Sequence, residues 1–147
     1  MLILQATSDD LEEVSDLFDA YRQFYGQAPD RGAATSFIAE RLTNADAVIF
    51  LARSEAGDAM GFVQLYPAFS SVAMKRMWYL NDLFVTESAC QQGVARALLR
   101  RVAGFARETD ALTVKLATAT SNHQAKSLYE SEGYKKIIAF DHYTQRV

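Results

Sequence analysis

The run Cys90-Gln91-Gln92-Gly93-Val94-Ala95 follows an apolar stretch and opens a segment in which Val94, Ala97, Leu98, Val102 and Phe105 recur at helical spacing. A small-residue loop that opens a helix leaves backbone N–H groups free at the positive end of the helix dipole. Such an end suits a phosphate, and a glycine lets the ligand come close to the backbone. The Gly93 loop is therefore a candidate pyrophosphate cradle. A Rossmann-type dinucleotide site is disfavoured, because its fingerprint needs three glycines and this loop has one. Cys90, His123 and His142 make a poor kit for a metal, and none is expected. No histidine lies beside Cys90 in sequence to activate it as a nucleophile, and the two histidines read as structural or surface groups.

The whole chain bounds this chemistry. Its 147 residues suit one domain with one core, 1–147. Half of them are hydrophobic and 12% aromatic, a globular composition. Fifteen basic against 18 acidic residues leave a formal charge of -3, which gives no electrostatic footing for nucleic acid. No apolar run approaches the roughly 20 residues that span a bilayer, and MLILQATSDD lacks the basic region of a signal peptide. A cytoplasmic protein without membrane contact is the expectation.

The elements that must position the loop can be read in order. Leu2–Leu4 is a short apolar strand. Asp9 and Glu12 form a capping-box pattern before Leu11, Val14, Leu17, Phe18, Tyr21, Phe24 and Tyr25, a helix of about four turns. A loop from Gly26 to Gly32 leads to a shorter helix carrying Phe37, Ile38 and Leu42. Val48–Ala52 and Met60–Tyr66, joined at Gly57-Asp58, read as a hairpin. Pro67 closes its second strand, Phe69–Lys75 is a loop, and Trp78–Val85 is a third strand. After the Gly93 helix, Leu112, Val114 and Leu116 alternate as a strand. Asn122 caps a last helix bearing Ala125, Leu128 and Tyr129, which Gly133 ends, and Tyr134–Ile138 with Phe140–Gln145 supplies final strand material. The order β-α-α-β-β-β-α-β-α-β argues for an α+β domain with a mixed, mainly antiparallel sheet, helices on both faces, and parallel neighbours across the Gly93 helix.

Three pieces, in this order and at this spacing, resemble the GCN5-related N-acetyltransferases. They are the strand Tyr79-Leu80-Asn81-Asp82-Leu83-Phe84-Val85, the loop Cys90-Gln91-Gln92-Gly93-Val94-Ala95, and Asn122-x-x-Ala125-x-x-Leu128-Tyr129-Glu130-x-x-Gly133-Tyr134. The loop is similar to the family's Arg/Gln-x-x-Gly-x-Gly/Ala motif for acyl-CoA pyrophosphate, with Cys90 at its first position. The strand and the last helix look closest to the branch of polyamine and histone acetyltransferases. The resemblance covers the chain in topology and residues 79–134 in motif.

It implies acetyl transfer from acetyl-CoA to an amine by direct attack in a ternary complex. Gln91, Gln92, Gly93, Val94, Ala95 and Arg96 would hold the pyrophosphate, and Asn122 the pantetheine arm. Backbone N–H groups of Leu83, Phe84 and Val85 would polarise the thioester carbonyl. Tyr129 matches the family's general acid for the CoA sulfur. In polyamine-type enzymes the position of Asn81 is often a glutamate base; Asn81 takes no proton, so Asp82 or a water chain is left with that role. Tyr25, Asp30 and Asn81 are candidates for the acceptor, aromatic and acidic groups being suited to a cationic amine. A small-molecule amine, polyamine or amino-acid-like, is the leading acceptor. A protein N-terminus or lysine, or a non-catalytic CoA-binding module, remains the alternative, and the family's habit of joining C-terminal strands makes a homodimer the expected assembly.

Overall fold

The computed structural model describes residues 1–147. Strand β1 (Leu2–Gln5) runs into a single 3-10 turn, Ser8–Asp10, before helix α1 (Leu11–Phe24). The capping box lies at this turn, two residues earlier than Asp9 and Glu12 suggest. Thr7 N–H donates to Asp10 Oδ2 (2.9 Å), and the Thr7 hydroxyl accepts from Asp9 N–H (3.3 Å). Helix α2 (Arg31–Asn44) starts inside the expected loop, so that Gly32 is helical. Asp30 begins it by accepting from Ala33 N–H at 3.1 Å. Strands β2 (Val48–Arg53), β3 (Ala59–Ser70) and β4 (Lys75–Val85) form an antiparallel meander. Helix α3 (Val94–Glu108) then crosses to β5 (Val114–Leu116), which pairs with β4 in parallel.

The five strands lie in sequence order, β1-β2-β3-β4-β5. Alternation along β2 sorts the helices onto two faces. Ile49 and Leu51 join Val14, Leu17, Ile38 and Phe62 in the core beneath α1 and α2. Phe50, between them, points the other way and meets Phe105 of α3 at 5.3 Å edge to face, with Trp78 5.1 Å from the same ring. Phe50, Phe62, Leu51 and Leu98 are fully buried, each contributing about 1.5–3 kcal/mol in transfer from water. The expected α+β class, with helices on both faces of a mixed sheet, is what forms.

Two strand expectations need correction. Pro67 does not close β3, which continues to Ser70, so the turn at the tip is only Ser71–Met74. Trp78, opposite Pro67, turns its N–H away to Thr113 O (3.0 Å), so the two are a non-hydrogen-bonded pair. The missing Pro67 N–H would thus have faced the side where β2 has already ended, at Val48 opposite Leu65. The proline costs no ladder bond there. The second correction is at the C-terminus. Residues 135–147 form neither helix nor strand and lie exposed, Ile138 at 87% and Tyr143 at 93%. Apolar alternation makes a strand only where a ladder partner meets it.

The chain divides into two compact units, Met1–Ala117 with the whole sheet, and Thr118–Val147 with helix α4 (His123–Ser131). In the second unit Asn122 caps α4 through Ala125 N–H (3.1 Å), and Gly133 leaves it at φ +94.

Candidate functional site

Within the first unit the site begins at an irregularity in the sheet. Gln64 faces Asp82 and Leu65 faces Leu80, so Asn81 is an extra residue on β4, a bulge. Beyond it the ladder changes character. Thr86 N–H donates to Met60 O (2.9 Å), so Thr86 and, by alternation, Phe84 and Asp82 turn their backbone groups toward β3. Leu83 and Val85 turn theirs to the opposite side. There the pairing with β5 covers only Trp78, Tyr79 and Leu80. The N–H groups of Leu83 and Val85 thus face the edge that β5 leaves uncovered.

The same strand runs into the phosphate-cradle loop. Gln91 and Gly93 both take left-handed backbone angles, φ +66 and +75. For glutamine this is an uncommon conformation, of the kind that collects at ligand-binding loops. The first bond of α3 is Ala97 N–H to Gly93 O (3.0 Å), and no backbone carbonyl takes the amides of Val94 and Ala95 ahead of it. A Cβ on Gly93 would meet nothing within 4 Å. The glycine is thus required by the backbone angle, and the space before it is open. Gln92 braces the loop through Ser88 O (3.1 Å), and Cys90 is exposed. Free amides at a helix start, an open glycine and a positive helix end fit a pyrophosphate.

On the α1 face the bulge gathers polar groups. The Asp82 carboxylate, 4% exposed, accepts from Gln64 Nε2 at 2.8 Å on one oxygen and from Asn81 Nδ2 at 3.0 Å on the other. No cation pairs with it. The Tyr21 hydroxyl donates to Asn81 O at 3.4 Å. Tyr66 lies two residues beyond Gln64 on the same face of β3, and its phenol is pushed up to about 12. Burial is the main cause and the Asp82 charge the next; Asp46 adds to the rise and Arg41 opposes it. Sequence reasoning missed Gln64, whose signal was one polar residue inside the apolar run Met60–Leu65.

Of the expected acceptor residues, Asn81 lies at this cluster. Tyr25 is exposed and packs edge to face on Tyr21 (5.0 Å) and Phe24 (5.4 Å), in an array that reaches Phe84. Asp30 has one carboxylate oxygen committed to the start of α2, while its own N–H is held by Asp19 at 3.1 Å. Asp19, which also accepts from Arg22 (2.8 Å), is thereby kept below the ordinary carboxylate range, the Asp30 N–H being the largest cause. In the second unit Tyr129 is half-buried, 5.9 Å from the ring of Tyr134. Burial, with Tyr129 and Glu132 adding to it, raises Tyr134 to about 12.

The chain is similar to known proteins in sequence and in fold. The profile described as "Acetyltransferase (GNAT) family" matches residues 11–134. An uncharacterized N-acetyltransferase of Bacillus subtilis (strain 168) is 43% identical over 147 residues, covering 100% of this chain and 98% of its own. A D-amino-acid N-acetyltransferase of Saccharomyces cerevisiae is 38% identical over 82 residues, 56% of this chain and 51% of its own. Among solved structures, the crystal structure of a probable acetyltransferase matches with a TM-score of 0.96 at 40% identity, over 100% of this chain and 98% of that one.

Proposed function

Because the chain belongs to the GNAT family of acetyltransferases, we propose that it binds acetyl-CoA and moves the acetyl group to the primary amine of a small molecule, amino-acid-like or polyamine. What supports the binding step is two groups of backbone donors on one stretch of chain, those of Leu83 and Val85 at the open edge and those of Val94 and Ala95 at the start of α3. Gln91, Gln92, Gly93, Val94, Ala95 and Arg96 hold the pyrophosphate, and Asn122 contacts the pantetheine arm besides capping its helix.

In the transfer, the neutral amine attacks the thioester carbonyl carbon while both substrates are bound, and their alignment supplies much of the acceleration. The N–H groups of Leu83 and Val85 steady the charge that develops on the carbonyl oxygen, whereas that of Phe84, expected from the sequence to share this task, is turned to β3. Asp82 takes the proton that the amine loses. The Tyr129 phenol donates one to the departing CoA sulfur. Asn81 and Tyr25, with the free oxygen of Asp30, contact the acceptor. All 147 residues act as one N-acetyltransferase domain, working in the cytoplasm as a homodimer.

The acceptor class is supported by a buried carboxylate beside an exposed aromatic array, and by the named activity of the yeast relative. Free CoA thiol released from acetyl-CoA, measured with D- and L-amino acids, polyamines, aminoglycosides and short peptides, tests it. Selective release with amino acids or polyamines is expected. Release with peptides alone would replace the small molecule by a protein acceptor, and acetyl-CoA binding without release to any of them would leave a non-catalytic binder.

A further inference from the structure

Strand β3 carries one polar side chain where the fold has no packing use for it. Met60, Gly61, Phe62, Val63, Gln64 and Leu65 are all buried, Gln64 completely. Its Nε2 donates to Asp82 Oδ2 at 2.8 Å, while its Oε1, equally buried, finds no acceptor role within the chain. A buried carbonyl oxygen without a donor destabilises a fold, and a leucine or methionine would fill this place without that cost. The bond to Asp82 is the one feature that offsets it. Asp82 in turn is an almost fully buried carboxylate held by two neutral amides and no cation. Of these two, Asn81 is exposed, whereas Gln64 is fixed from the opposing strand by complete burial.

We propose that Gln64 is a positioning residue for acetyl transfer, locking the rotation of the Asp82 carboxylate so that one oxygen stays aimed at the amine. The inference rests on the reading of Asp82 as proton acceptor. Gln64 itself touches neither substrate. Misplacing a base by an ångström is enough to slow a transfer by about a hundredfold. Neutral donors suit this task, because a lysine or arginine in the same place would hold the carboxylate equally still while competing for its charge.

The test is a double-mutant cycle on the whole 147-residue chain, with Gln64→Met, Asp82→Asn and the two combined. Gln64→Leu serves in place of the first should the methionine variant not fold. CoA release from acetyl-CoA is followed with the fastest amine of the panel above, and also with water alone as acceptor. Gln64→Met is expected to lower kcat at least tenfold and to leave KM for acetyl-CoA unchanged, and a thermal melt checks that the variant, whose Asp82 Oδ2 has lost its donor, stays folded at the assay temperature. In the Asp82→Asn background the same substitution adds no further loss. Unchanged turnover in Gln64→Met overturns the proposal. So does a loss that persists at full size beside Asp82→Asn, which would mark Gln64 as structural. Full activity in Asp82→Asn alone instead removes the base reading underneath, and is told apart by that single variant.

Discussion

Two tyrosines separate chemistry from stability. Tyr129, if it protonates the CoA sulfur, acts only in the transition state, so Tyr129→Phe should cut kcat roughly a hundredfold or more while acetyl-CoA affinity, read by calorimetry, barely changes. Undiminished turnover would remove Tyr129 from the mechanism. Tyr66 makes a pH prediction. Its phenol is raised in the folded state from 10.0 to about 12, so the fold keeps a proton that the unfolded chain releases. The associated stability is complete below pH 10 and is lost as pH rises through 12. Denaturant unfolding of Tyr66→Phe should therefore weaken less over that window than the parent. Tyr134, raised likewise, keeps some alkaline loss in the variant.

At the scale of elements, two glycines do opposite jobs. Gly93 sits at φ +75 with open space around it. Gly93→Ala should cost about 1–2 kcal/mol of backbone strain, and the same methyl should weaken acetyl-CoA binding; unaltered affinity would show that the loop is not the cradle. Gly61 has no unusual φ, but a Cβ there would come 2.6 Å from the Phe84 carbonyl oxygen and 3.3 Å from Val85 Cα. Gly61→Ala should lose about 1–3 kcal/mol through overpacking, and kcat with it, because the displaced segment carries Leu83 and Val85. A thermal melt and a rate measured on one sample check both effects. This is also the scale at which sequence and structure part. The Gly93 loop, the α3 stripe and the Asn122 cap were legible because each is a local pattern of three to fifteen residues. The bulge at Asn81, the harmless Pro67 and the Gln64–Asp82 bond were not. Each is decided by which residue of β3 lies opposite which residue of β4, and no single stretch records that.

For the molecule as a whole, the order of elements and the class of sheet follow from composition and periodicity, whereas the C-terminus does not. Residues 135–147 carry apolar alternation yet lie exposed. Ile138, Phe140 and Tyr143, at 72–93% exposure, leave apolar surface of the kind that association covers. The proposed homodimer predicts a concentration-dependent sedimentation coefficient, with Ile138→Asp shifting the equilibrium to the monomer. A single species at the monomer mass throughout the accessible range would discard the dimer.

The bulge has a consequence for what this chain can tolerate in its history. Side chains alternate along a strand with a period of two, and Asn81 is the one residue of β4 that stands outside that pairing. Were one codon lost there, Leu80 would stay opposite Leu65 and Asp82 opposite Gln64, each on its present face, and the Leu83 and Val85 amides would still turn away from β3. What would go is the local bend and the slack of one residue. Substitutions around the site can alter preference by degrees, whereas loss of a paired residue elsewhere in β4 exchanges inside for outside in a single step. The number of paired residues in β4 should therefore be held more strictly among descendants of this protein than the identity of any side chain on it.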